Sequence, residues 1–138
     1  MKFASQICTT REQSERLLSL GLKKETADMC WIDFALTSDY DDLRVEPIYK
    51  DWEDWQKYGI PAWSLHRLIE MMPITLIEDK VYHERWDLNV TPTAVIYRNQ
   101  DQPDEWIGEC LGQGMYNNII DCIEWLIKEG YFNKEYLV

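Results

Sequence analysis

Histidine is scarce in this chain, with two among 138 residues, and the six glycines are scattered. His66 and His83 are too few and too far apart to form a local metal pair, and no glycine run cradles a phosphate. The four cysteines, Cys8, Cys30, Cys110 and Cys122, include no Cys-x-x-Cys pair. That excludes a zinc knuckle or thioredoxin-like motif and leaves reduced, buried thiols as the expectation. No stretch approaches the ~18 uninterrupted apolar residues of a membrane-spanning helix. The opening residues lack an apolar core of the secretory kind, so the cytoplasm is the expected compartment.

Basic residues are also few. Fourteen lysines and arginines stand against twenty-five acids, a formal charge of −11. Such a field repels nucleic acid and acidic lipid, so neither is expected as a direct partner. It keeps the protein soluble and favours a protein partner of basic character.

Aromatics are what the chain has in abundance. Seven tryptophans and eight tyrosines within a 46% hydrophobic composition argue for a folded globule, because large apolar side chains offset ordering entropy. The length fits one domain spanning 1–138, able to bury roughly two-thirds of its unfolded surface.

Helix signals come in three places. Thr9 and Thr10 each have an acid or amide three residues on, Glu12 and Gln13, which is the capping-box spacing, and Gly21 suits the left-handed end of that helix. Between Pro61 and Pro73 a central helix is predicted, N-capped by Ser64, with Leu65, Leu68, Ile69 and Met72 inward. The spacing predicts a long helix over Met115–Glu129 with Ile119, Ile123 and Leu126 as its stripe, flanked by Cys122, Ile120 and Ile127. A helical wheel places Trp125 on the polar side, either packed by the acidic loop or serving an oligomer contact.

Strands are predicted over 29–36, around 44–49, and over 74–78, 80–86, 93–98 and 105–111. Consecutive short links imply antiparallel pairing. The expected class is α+β: one domain, an antiparallel sheet packed by the central and C-terminal helices.

Catalytic constellations are weak. His66 lies four residues before Glu70, yet acid–base work needs a cleft and a second participant, and Ser64 faces another way. Asp39, Asp41, Asp42 and Glu46 miss the calcium-loop spacing, since Leu43 takes the third ligand position and no glycine follows. No catalytic residue, cofactor site or metal site is assigned. The informative stretch is 39–58, where acids alternate with large aromatics. Tyr40, Asp51, Trp52, Glu53, Asp54 and Trp55, with Trp125, are the candidate partner-contacting residues, because Trp and Tyr dominate interface hot spots. The alternative is that Trp52 and Trp55 fold inward over the sheet and leave the acids outside.

Cys8-Thr9-Thr10-Arg11-Glu12-Gln13-Ser14-Glu15-Arg16-Leu17-Leu18-Ser19-Leu20-Gly21-Leu22, Thr26-Ala27-Asp28-Met29, Pro61-Ala62-Trp63-Ser64-Leu65 and the Trp125-Leu126 helix ending together resemble a group of proteins. These are small uncharacterised proteins encoded by phages, prophages and mobile elements of gut anaerobes. The resemblance implies an intracellular context in a bacterial host and no particular activity. Three functions follow from the residues. The leading one is a non-enzymatic interaction protein working through 39–58. The second is an acidic inhibitor, either an immunity protein or a DNA mimic that occupies the basic site of a nuclease or DNA-binding protein. The third is a small enzyme using His66 and Glu70 or the acidic loop.

Overall fold

The computed structural model describes residues 5–33, 43–48, 55–78 and 84–138. The class is α+β and every described strand pair is antiparallel. The strands divide between two sheets, β2-β1-β3 and β4-β5-β6-β7 in spatial order. Two compact units make up the chain, residues 1–68 with 136–138, and residues 69–135.

The first unit opens with α1 (Arg11–Ser19). Thr10, and not Thr9, is its N-cap: the Thr10 hydroxyl accepts from Gln13 N at 3.2 Å and the Gln13 side chain accepts from Thr10 N at 3.0 Å. Thr9 is fully buried and bonded elsewhere. Gly21, at φ +98°, turns the chain out of the helix, and Leu22 N reaches back to Leu17 O. A single 3₁₀ turn, Lys24–Thr26, leads into β1 (Met29–Asp33).

Strand β1 is central, flanked by β2 (Leu43–Pro47) and β3 (Gly59–Ala62), with the short α2 (Trp55–Tyr58) before β3. Sequence patterning misses β3 because it is four residues long and contains Pro61. A proline is tolerated there, since β3 is an edge strand among the described residues. Cys30, Ile32 and Trp55 form a buried cluster with Ala27 and Ile48 against it. The chain end returns to this unit: Lys23 N donates to Tyr136 O and Val138 N to Gly21 O, each at 2.8 Å.

Helix α3 (Leu65–Met71) starts at Ser64, as its cap predicts, with Arg67 N donating to the Ser64 hydroxyl at 3.1 Å. Its inward residues differ from the expected stripe. Leu68, Met71 and Met72 are buried, whereas Leu65 and Ile69 are only half-buried.

The second unit is a four-stranded meander of β4 (Thr75–Glu78), β5 (Glu84–Val90), β6 (Ala94–Asn99) and β7 (Trp106–Leu111). Strand β5 lies further along the chain than the predicted 80–86. Its second half reads as polar, but Asp87 is held by Thr75 Oγ1 at 2.9 Å and Gln100 Nε2 at 2.8 Å, while Trp86, Leu88 and Val90 alternate inward. Residues 79–83, including His83, lie outside the described residues.

Helix α4 (Met115–Glu129) packs on β6 and β7. Its apolar face, with Ile119, Ile120, Cys122, Ile123 and Leu126, is buried, and Gly130 closes it in the left-handed conformation. Asn118 is also fully buried. Its Oδ1 accepts from Gln113 N at 3.1 Å and its Nδ2 donates to Thr93 O at 3.3 Å, so the amide serves two backbone groups.

Candidate functional site

Half of the acidic, aromatic stretch 39–58 falls outside the described residues, Tyr40, Asp51, Trp52, Glu53 and Asp54 included. Trp55 is described, and it lies in a core and not on a surface. It is 6% exposed and packs with Cys30 and Ile32. Burying an indole of this size in an apolar cluster outweighs leaving it in water, which is the inward alternative.

Trp125 is half-buried and likewise engaged. Its ring lies 6.2 Å from the Tyr97 ring and 5.8 Å from that of Tyr131, both tilted. Gly108 makes this contact possible, since a Cβ there would stand 2.8 Å from the indole. The helical wheel places Trp125 among polar neighbours because a wheel cannot register a gap left by a glycine on another element.

The densest polar cluster lies in the first unit, around the start of α3. Thr9 N donates to Trp63 O at 2.9 Å, Trp63 N donates to Thr9 Oγ1 at 3.1 Å, and Trp31 Nε1 donates to Thr9 O at 2.9 Å. The Thr9 and Ser14 hydroxyls meet at 2.8 Å. Trp63 is fully buried, and its Nε1 donates to Thr26 Oγ1 at 3.0 Å. The Asp28 carboxylate accepts from Ser64 N at 2.8 Å and from the Ser64 hydroxyl. Arg67 Nε donates to Thr26 O at 2.8 Å, and its guanidinium lies 5.7 Å from the Tyr136 ring centroid.

An acid beside a serine hydroxyl invites a catalytic reading, but the bonding argues for a clamp. Asp28 grips the cap residue of α3 at two atoms, and the Ser64 oxygen is already committed to Arg67 N. His66 and Glu70 are both exposed. Among the described residues no three His, Cys, Asp or Glu side chains converge as metal ligands.

The cysteines fall into two pairs. In the first unit Cys8 and Cys30 are both buried, and burial pushes each thiol up to about 11; the Asp28 carboxylate adds to this at Cys8 and Glu46 at Cys30. In the second, Cys122 is buried and hydrogen-bonded to Cys110, which raises the Cys122 thiol strongly. Cys110 is half-exposed, against the expectation that all four would be buried.

A surface that sequence patterning does not reveal lies on the four-stranded sheet. Residues paired across antiparallel strands share a face. The ranks Leu76–Trp86–Asn99, Leu88–Tyr97–Ile107 and Val90–Val95–Cys110 take the α4 side. The rank Thr75–Asp87–Arg98–Trp106 takes the other, together with Ile77, Arg85, Ile96 and Leu111. On that second face Trp106 is 45% exposed, Ile77 55% and Leu111 52%. Trp106 Nε1 donates to Glu109 Oε2 at 2.8 Å, which fixes the ring on the surface. Alternation along β7 suggests a half-buried strand, but only the register, with its irregularity between Val95 and Tyr97, assigns Trp106 to the outer face. No helix of the described residues is long and apolar enough to cross a membrane. Compared with family models, curated proteins and solved structures, the chain matches none of them.

Proposed function

We propose that the protein works without catalysis, by binding another protein of net basic character. The observation that carries this reading is the exposure of Trp106, Ile77 and Leu111 on the sheet face turned away from α4. Exposed large apolar side chains interleaved with charge suit a contact surface, and Trp and Arg are among the commonest anchors in one. Arg85 and Arg98 supply the arginines, balanced by Asp87 and Glu109, so the contact itself is close to neutral.

The remaining charge sets the partner. A protein at −11 repels a second copy of itself at long range and draws in a basic one. The stretch 39–58, with Tyr40, Asp51, Trp52, Glu53 and Asp54, contributes the acidic part of this reading. The polar cluster around Asp28 and Ser64 supports it indirectly, because its groups are engaged in holding backbone.

The test is co-purification from a bacterial lysate, followed by titration of the captured protein against wild type, Trp106→Ala and an Asp51/Glu53/Asp54 charge reversal. Trp106→Ala should weaken binding about tenfold or more while leaving the fold intact. The charge reversal should slow association mainly at low salt. A partner that binds Trp106→Ala and wild type equally, or whose affinity ignores both salt and charge reversal, would sink the proposal. A nuclease or DNA-binding protein as the captured partner would narrow the function to an acidic inhibitor.

A further inference from the structure

Cys110 stands apart from the other thiols in access, and Cys122 lies beside it. Cys110 pairs with Val95 across the β6–β7 ladder, which puts it on the side of the sheet that α4 covers. Cys122 comes down from α4, is fully buried and is hydrogen-bonded to it. Cys110 Sγ also donates to Gly108 O at 3.5 Å. With the Cys110 proton spent on that carbonyl, the bond between the two sulfurs runs from the Cys122 S–H to the Cys110 sulfur. Cys110, the only one of the four cysteines that is not fully buried, is thus the one an oxidant reaches first, and Cys122 is held beside it as a second thiol.

We infer that Cys110 and Cys122 form a reversible disulfide joining β7 to α4, with Cys110 as the thiol that meets the oxidant and Cys122 as the one that resolves it. A hydroperoxide supplies the oxidising equivalents. The Cys110 sulfur attacks one peroxide oxygen, the O–O bond breaks, and Cys110 becomes a sulfenic acid as an alcohol or water departs with the thiol proton. The Cys122 sulfur then attacks the oxidised sulfur. The S–O bond breaks, the S–S bond forms, and the hydroxyl leaves as water with the Cys122 proton. An external dithiol reverses the change by exchange. Cys8 and Cys30, 2% and 0% exposed, are an internal control of equal chemistry and poor access.

The experiment treats the full-length protein with hydrogen peroxide, blocks residual thiols by alkylation after unfolding, and maps the cysteines by peptide mass. The expected product is a peptide pair linked through Cys110 and Cys122, lighter by two hydrogens, with Cys8 and Cys30 alkylated. Cys110 should react about tenfold or more faster than either, as access dictates. In Cys110→Ser, Cys122 should survive oxidation untouched. In Cys122→Ser, Cys110 should halt at a sulfenic acid that a diketone reagent traps. Conversion of Cys110 to sulfinic acid while Cys122 stays a free thiol overturns the inference. So does equal oxidation of all four cysteines, or oxidation of Cys122 in Cys110→Ser.

Discussion

Gly108 and Trp125 occupy one another's space: the indole lies where a β-carbon on residue 108 would be, 2.8 Å from Cζ3 and 2.9 Å from Cε3. Gly108 also holds φ +67°, a conformation that strains any residue with a side chain. Gly108→Ala therefore meets two costs, overpacking and backbone strain, together about 2–4 kcal/mol. Urea unfolding should show a lower midpoint with an unchanged slope. Shrinking the ring with Trp125→Leu in the Gly108→Ala background should recover part of the loss, a coupling that a double-mutant cycle reads directly. Strict additivity of the two changes would mean the indole is not what the new methyl meets.

Trp63 and Trp86 make a second comparison, because both are buried and, among the described residues, only one has its N–H satisfied. Trp63 Nε1 donates to Thr26 Oγ1 at 3.0 Å, while Trp86 Nε1 finds no acceptor among the described residues. Replacing each by Phe removes similar apolar area. At residue 63 the change also breaks a buried hydrogen bond, whereas at residue 86 it removes a desolvated donor that was already a burden. Trp63→Phe should thus be the more destabilising by about 1–3 kcal/mol, measured by urea or thermal unfolding. Equal losses at the two positions would show that area alone governs both.

These contacts also mark how far the sequence could be read. Elements whose signals are local were legible: the Thr10–Gln13 capping box, the Ser64 cap of α3, and α4 over Met115–Glu129 with its buried Ile119, Ile123 and Leu126. Positions decided by another element were not. Met71 joined the core where Ile69 was expected, because a seven-residue helix can turn its inward face toward whatever packs on it. Strand β5 was displaced because Asp87 and Asn89 look solvated until Thr75 and Gln100 are seen to hold Asp87. The outer face bearing Trp106 needed strand register, and the contact of Cys110 with Cys122 needed the docking of α4 on β7. Neither leaves a trace in local periodicity. The candidates Tyr40, Asp51, Trp52, Glu53 and Asp54 stay expectations from sequence, since they lie outside the described residues.

The buried thiols of the first unit carry a pH signature with a definite sign. Burial raises Cys8 and Cys30 from an ordinary 9.0 to about 11 in the folded protein. Below about pH 9 both thiols are protonated whether the chain is folded or unfolded, and their contribution to stability is fully present. Between about 9 and about 11 the unfolded chain releases these protons while the folded one keeps them, so stability falls as pH rises. The slope is at most about 1.4 kcal/mol per pH unit for each thiol. Tyr97 and Cys122, also raised by their surroundings, add loss of the same sign in the alkaline range. The share belonging to the first unit is isolated by a Cys8→Ala, Cys30→Ala double variant. Its urea midpoint should fall less steeply than that of wild type over this window, and the two proteins should differ by a constant amount below it. Parallel curves through the whole alkaline range would mean that neither thiol keeps its proton on folding as its burial requires.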